Sequence, residues 1–151
     1  MSIRPAGEQD APAISKLIQR TVREVNVRDY GEEGIAPLLE WNGETRIREA
    51  LRSMEFLACE KQGQIVGVGG LDTMSGYLSR GYVLPEWQGK GIGTALLERL
   101  ESIARSHRMQ EVHLDATLTS TRFLERRGYH PLGERVASNG FHYIPMTKRL
   151  A

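Results

Sequence analysis

The sequence predicts a mixed α/β domain built on a mainly antiparallel sheet flanked by helices, and three observations carry that reading. Strand-like runs from Phe56 onward are separated by short turns at Gly63 and Gly76, and short turns require antiparallel neighbours. The glycine-rich segment Gln88–Gly93 stands between the last of those runs and a long amphipathic stretch, a helix that permits one parallel crossover. Asn139-Gly140 marks a closing hairpin, because both residues tolerate the positive φ of a tight two-residue turn.

Taken in order, Ile3 begins a short strand, and Asp10 is placed to cap a helix carrying Ile14, Leu17, Ile18, Val22 and Val25 on one broad face. Asp29–Ile35 reads as a loop, Ala36–Trp41 as a short helix and Thr45–Ser53 as another. This stretch has the least regular pattern, and its Tyr30 and Trp41 suit a wall facing a substrate as well as simple packing over a sheet edge. Strands follow at Phe56–Glu60, Ile65–Asp72 and Tyr77–Leu84, where Pro85 removes a backbone donor and ends the run. Ile92, Leu96, Leu100 and Ile103 then recur at three- and four-residue spacing, the stripe of a helix running to about His107. Val112–Asp115 reads as a strand, Ser120–Arg127 as a short helix, and Tyr129–Val136 with His142–Arg149 as the final hairpin.

The 151 residues suit a single domain over 1–151. Formal charge is +1, from 20 basic and 19 acidic residues, which argues against broad nucleic-acid binding while permitting a local anion site. No apolar run approaches the roughly twenty residues of a membrane helix, and Met-Ser-Ile-Arg-Pro lacks a secretory segment. A cytoplasmic protein without membrane partners is therefore expected. Cys59 is the only cysteine, and its apolar run suits a buried thiol.

Gln-Gly-Lys-Gly-Ile-Gly at 88–93 is the chemical signal. Unpaired N–H groups converge at a helix start and the helix dipole favours negative charge there. Gly89, Gly91 and Gly93 let backbone approach a phosphate closely and Lys90 adds positive charge; a tight corner with no ligand is the other reading of the same spacing. The alternate glycines fit neither the dinucleotide fingerprint nor the ATP/GTP loop. No complete metal-binding motif accompanies them.

The passage Val83-Leu84-Pro85-Glu86-Trp87-Gln88-Gly89-Lys90-Gly91-Ile92-Gly93 resembles the central motif of the GCN5-related N-acetyltransferase (GNAT) superfamily, and Phe123-Leu124-Glu125-Arg126-Arg127-Gly128-Tyr129 is similar to its later motif. The resemblance covers almost the whole element order and implies the acyl-CoA N-acyltransferase fold, with acetyl-CoA as acyl donor and an amine of a small molecule or peptide as acceptor. It assigns the donor to Val83, Leu84, Gln88, Gly89, Lys90, Gly91, Ile92, Gly93 and Thr94, with the Val83 backbone N–H stabilising an oxyanion. Thr119 stands near the family's frequent asparagine, where a hydroxyl could contact coenzyme. Homodimers are common in the family, so a homodimer is compatible with this reading.

Leu124 occupies the position where the family commonly carries a tyrosine acid. Tyr143, Tyr129 and Tyr82 are the candidate replacement donors, with Tyr143 or Tyr129 carried forward, while Asp115 or His113, on one strand face, offers a base or relay beside ordered water. Tyr30, Trp41 and Tyr82 are candidates for the acceptor wall. The alternative to an enzyme is an acyl-CoA-binding sensor that has lost turnover.

Overall fold

A computed structural model describes residues 1–150. Its strands are β1 (Ser2–Pro5), β2 (Glu55–Lys61), β3 (Gln64–Asp72), β4 (Tyr77–Val83), β5 (Glu111–Thr117), β6 (His130–Pro131), β7 (Val136–Ser138) and β8 (Phe141–Arg149). Its α-helices are α1 (Ala11–Thr21), α2 (Val27–Gly34), α3 (Ala36–Trp41), α4 (Glu44–Ser53), α5 (Ile92–Ser106) and α6 (Thr121–Glu125). The strands form one sheet in the order β1-β2-β3-β4-β5-β8-β6, with β7 also paired to β8.

Every pairing is antiparallel except β4 with β5, which touch only at Tyr77–His113 and Leu78–Leu114. Beyond those two pairs the strands diverge, opening the sheet between the Ser79–Val83 half of β4 and the Asp115–Thr117 end of β5. The mixed, mainly antiparallel sheet flanked by helices is the architecture expected from the sequence.

Helix α5 lies on one face of the sheet because β3 is stripped of side chains beneath it. A Cβ on Gly67 would lie 2.8 Å from Ile92 Cγ2, and one on Gly69 would lie 3.1 Å from Leu100 Cδ1. The buried stripe of α5 is Ile92, Leu96, Leu100 and Ala104, with Ile103 at its margin. On the opposite face α1 packs Ile14, Leu17 and Ile18 into the core, with Ile47 and Leu51 of α4 alongside.

Three local expectations are corrected. Asp29–Ile35 is mostly helical: α1 continues through a π-helical turn at Val22–Asn26 into α2, which kinks at Gly31 with φ 75°. Asp10 does not cap α1 with its side chain. Its carboxylate instead accepts the Gly7 N–H at 2.9 Å and both terminal nitrogens of Arg4 at 2.9 Å, so the nearby guanidinium and a turn donor outcompete the helix end. The Tyr129–Val136 strand breaks into β6 and β7, both paired along the longer β8. Asn139 and Gly140, at φ 51° and 80°, make the predicted turn between β7 and β8.

Candidate functional site

The glycine segment sits at the mouth of the β4–β5 opening. Gly89 and Gly91 have φ of 74° and 85°, and a Cβ on either would meet nothing within 4 Å, so backbone conformation, not crowding, demands glycine there. Gly91 is the N-cap of α5 and no side chain caps that end, leaving the first-turn N–H groups of Ile92, Gly93 and Thr94 without intrahelical partners. Gly93 serves packing: its Cβ would lie 3.2 Å from Phe123 Cζ and 3.7 Å from Val83 Cγ2. Lys90 is exposed beside this cradle.

The two motif passages meet at the same helix end. Arg127 donates from Nε to Thr94 Oγ1 at 2.7 Å and from Nη1 to the Phe123 carbonyl at 2.9 Å, with its guanidinium 3.7 Å above the Phe123 ring. Thr117 and Ser120 share a hydroxyl contact at 3.0 Å before α6. The Thr119 hydroxyl is buried and has no partner among the described residues, an unpaired group that calls for a water, an ion or a ligand to satisfy it.

Val83 and Leu84 differ in backbone availability. The Leu84 N–H is bonded to the Val66 carbonyl at 2.9 Å, and in an antiparallel ladder the preceding residue's groups point to the other edge. Val83 therefore turns its N–H and C=O toward the gap left by β5. The Gln88 side-chain amide donates to that carbonyl at 2.9 Å, which leaves the N–H as the group facing the gap.

A β-bulge shapes the far side of this opening. Val68 pairs Tyr82 while Gly70 pairs Ser79, so Arg80 and Gly81 together oppose Gly69. Arg80 takes φ 58°, uncommon for a residue with a side chain. The extra residue re-aims the strand and leaves Tyr77, Ser79 and Tyr82 on the face away from α5.

That face carries most of the remaining candidates. Tyr30 stacks on Phe141 at 5.0 Å, Trp41 meets Phe141 edge-on at 5.1 Å, and Tyr143 stacks at 6.3 Å. The Tyr30 hydroxyl donates to the His142 carbonyl at 2.6 Å and accepts the Leu118 N–H at 2.8 Å, tying α2 across the β5 and β8 ends. Phe141, absent from the sequence candidates, organises this cluster. Tyr77, also missed, stands 5.5 Å from the His113 ring and donates to Asp115 Oδ2 at 3.2 Å. Burial, then the Asp115 charge and hydrogen bond, push the Tyr77 hydroxyl up to about 12. Burial also raises the Tyr82 hydroxyl above its ordinary range.

Tyr129 lies elsewhere. It is 1% exposed and donates to Glu101 Oε2 at 2.7 Å, while Lys148 Nζ holds the same carboxylate at 3.0 Å. Ten residues along α5 place this cluster about 15 Å from Gly91. Burial and then Glu101 raise its pKa. Tyr129 thus leaves the list of acid candidates, because its proton is committed in the core, whereas the Tyr143 hydroxyl has no protein partner among the described residues. Leu124 is buried in the core.

Residues 26–150 match the family model described as the acetyltransferase (GNAT) domain. An amino-acid acetyltransferase of Pseudomonas putida (strain GB-1) is 37% identical over 121 residues, covering 74% of this chain but 28% of that protein, so the chain spans under a third of that relative's length. Among crystal structures, the GCN5-related N-acetyltransferase "Aminotransferase, Class-II" from Rhodopseudomonas palustris superposes with a TM-score of 0.89 at 26% identity, covering 98% of this chain and 94% of that one. The PaiA N-acetyltransferase of Thermoplasma acidophilum, crystallised with coenzyme A, gives 0.79 at 20% identity, with 99% of each chain covered.

Proposed function

The chain belongs to the acetyltransferase (GNAT) family, and from that premise we propose that it transfers an acetyl group from acetyl-CoA to an amine of a small molecule or peptide by direct attack in a ternary complex. The observation that carries the reading is the β4–β5 opening, flanked by the outward Val83 backbone and ending on the uncapped start of α5. The P. putida relative, an amino-acid acetyltransferase, supports a small-molecule acceptor over a peptide.

The residues present fit the donor. Gly89 and Gly91 border open space that a Cβ would enter, and Thr119 offers a buried hydroxyl with no protein partner. The first-turn N–H groups of α5, with Lys90, would hold the pyrophosphate. The Val83 N–H would polarise the acyl carbonyl, a preorganised dipole of the kind that contributes most to acyl transfer. Acetyl-CoA supplies an activated acyl carbon: the amine forms a C–N bond as the C–S bond breaks and coenzyme A leaves as thiolate.

The acceptor must lose a proton, at a cost of about 4 kcal/mol at pH 7 for an amine of pKa near 10. Asp115, exposed and oriented by Tyr77, is a base or relay for that proton, with His113 beside Tyr77 as the other candidate. Tyr143 is the hydroxyl available to protonate the thiolate, and a thiol pKa near 8.5 makes that demand small.

The test combines binding with product detection. Purified protein, acetyl-CoA and a panel of amines should give amine-dependent thiol release and an acetylated amine by mass spectrometry. Coenzyme binding with no product across the panel would instead support a sensor, the reading that Leu124 favours at its motif position.

A further inference from the structure

We infer that the acceptor is an amino acid whose carboxylate is held by the Arg80 guanidinium. This rests on the acetyl-transfer reading above and names the substrate class for the same opening.

Among the described residues Arg80 is a cation without an anion. Its Nε donates to Asn42 Oδ1 at 3.0 Å and its Nη2 to the Trp41 carbonyl at 3.3 Å. A guanidinium has five N–H groups, so three remain with no protein acceptor among the described residues. They are both N–H groups of Nη1 and one of Nη2, and one from each nitrogen forms the adjacent pair that grips a carboxylate in two parallel hydrogen bonds. The neighbouring cation Arg46 adds to the positive field, while the other close groups, Tyr77 and Tyr82, are neutral phenols at pH 7. Burial lowers the Arg80 pKa, the direction expected when a guanidinium leaves water without a counter-charge.

The placement is specific. Arg80 occupies the bulge in left-handed backbone, a conformation that costs an ordinary residue about 1–2 kcal/mol. A regular strand would alternate this position onto the α5 face with Leu78; the bulge sends the guanidinium to the end of α3 instead. Its two protein contacts are neutral and come from one short segment, Trp41-Asn42, and Asn42 is itself fixed by donating to the Leu38 carbonyl at 2.8 Å. The fork is thus braced from one side and open on the other, with the Trp41, Phe141 and Tyr143 rings nearby to receive an apolar or planar side chain. Asp115 supplies the opposite charge on the same face, suited to the ammonium end of a zwitterion.

The experiment sets the twenty L-amino acids against their carboxamides, using the full chain saturated with coenzyme A. Binding is measured by calorimetry and, separately, acetyl transfer is measured from acetyl-CoA. We expect at least one free acid to bind and react with kcat/KM about 100-fold above its amide. In Arg80→Gln that preference should fall to within about threefold while coenzyme affinity stays unchanged. Arg80→Lys, which keeps the charge and loses the fork, should fall between them, and its behaviour decides the matter where Arg80→Gln fails to fold. Amides used as well as acids, or no acid bound by the wild type, overturns the inference. Acids bound with Arg80 dependence but never acetylated overturns the transfer reading alone.

Discussion

Arg127 donates to the Thr94 hydroxyl at 2.7 Å, joining the second motif passage to the first turn of the helix that the first motif opens. The bond fixes the register between α6 and the start of α5, and the Phe123 ring beneath the guanidinium closes the contact with Gly93. Hydrogen bonds from a charged donor contribute about 1.5–3 kcal/mol. Arg127→Met and Thr94→Val should therefore each weaken coenzyme binding, and a double-mutant cycle on calorimetric affinities should return a coupling of about 1–2 kcal/mol. Strict additivity would show that the bond does not organise the loop.

Gly91→Val separates strain from ligand contact. No atom stands within 4 Å of the added Cβ, yet φ is 85°, so the free protein should lose only about 1–2 kcal/mol by denaturant unfolding. Coenzyme affinity should fall further, by about tenfold or more, because the new side chain projects into the space above the helix start. A folded variant with wild-type affinity would remove the cradle from the donor site.

What the sequence made legible was local. The α5 stripe, the glycine turns and the Asn139-Gly140 hairpin each depend on residues a few positions apart, and all were readable. The missed features depend on distant partners. Tyr30 is helical and anchored by a carbonyl 112 positions away. Phe141 matters because Tyr30 of α2 and Trp41 of α3 converge on it, beside Tyr143 of its own strand. Arg80 looks like an ordinary strand residue until the bulge turns it. Glu101 sits among the apolar positions of α5 without breaking their period, and Tyr129, just before β6, and Lys148 of β8 explain its burial.

Asp10 provides a pH test with a definite sign. The two Arg4 bonds hold its carboxyl below the ordinary 3.8 against the opposing effect of burial. A pKa lowered by folding contributes stability that is present above 3.8 and is lost as pH falls through the folded value. Asp10→Asn should therefore be less stable than wild type at pH 7, by about 1.5–3 kcal/mol. The gap should narrow progressively as pH falls below 3.8 in urea titrations at each pH, and a constant gap as the carboxyl protonates would mean the ion pair is not what Asp10 contributes.

The two tyrosines once equivalent in the sequence should now behave oppositely. Tyr129→Phe strips one donor from the buried Glu101 carboxylate and leaves Lys148 as its remaining partner, so it should lower stability by about 1–3 kcal/mol with kcat unchanged. Tyr143→Phe removes a hydroxyl that bonds no protein group among the described residues and keeps the ring stacked on Phe141, so the melting temperature should barely move. If that hydroxyl protonates the departing thiolate, kcat should drop about 10²-fold with unaltered coenzyme affinity, and a leaving group of lower pKa should narrow the deficit. Measured on one acceptor, a drop in kcat for Tyr129→Phe and none for Tyr143→Phe would reverse the assignment. No effect from either would give the proton to water, for which a thiolate of pKa near 8.5 makes little demand on the protein.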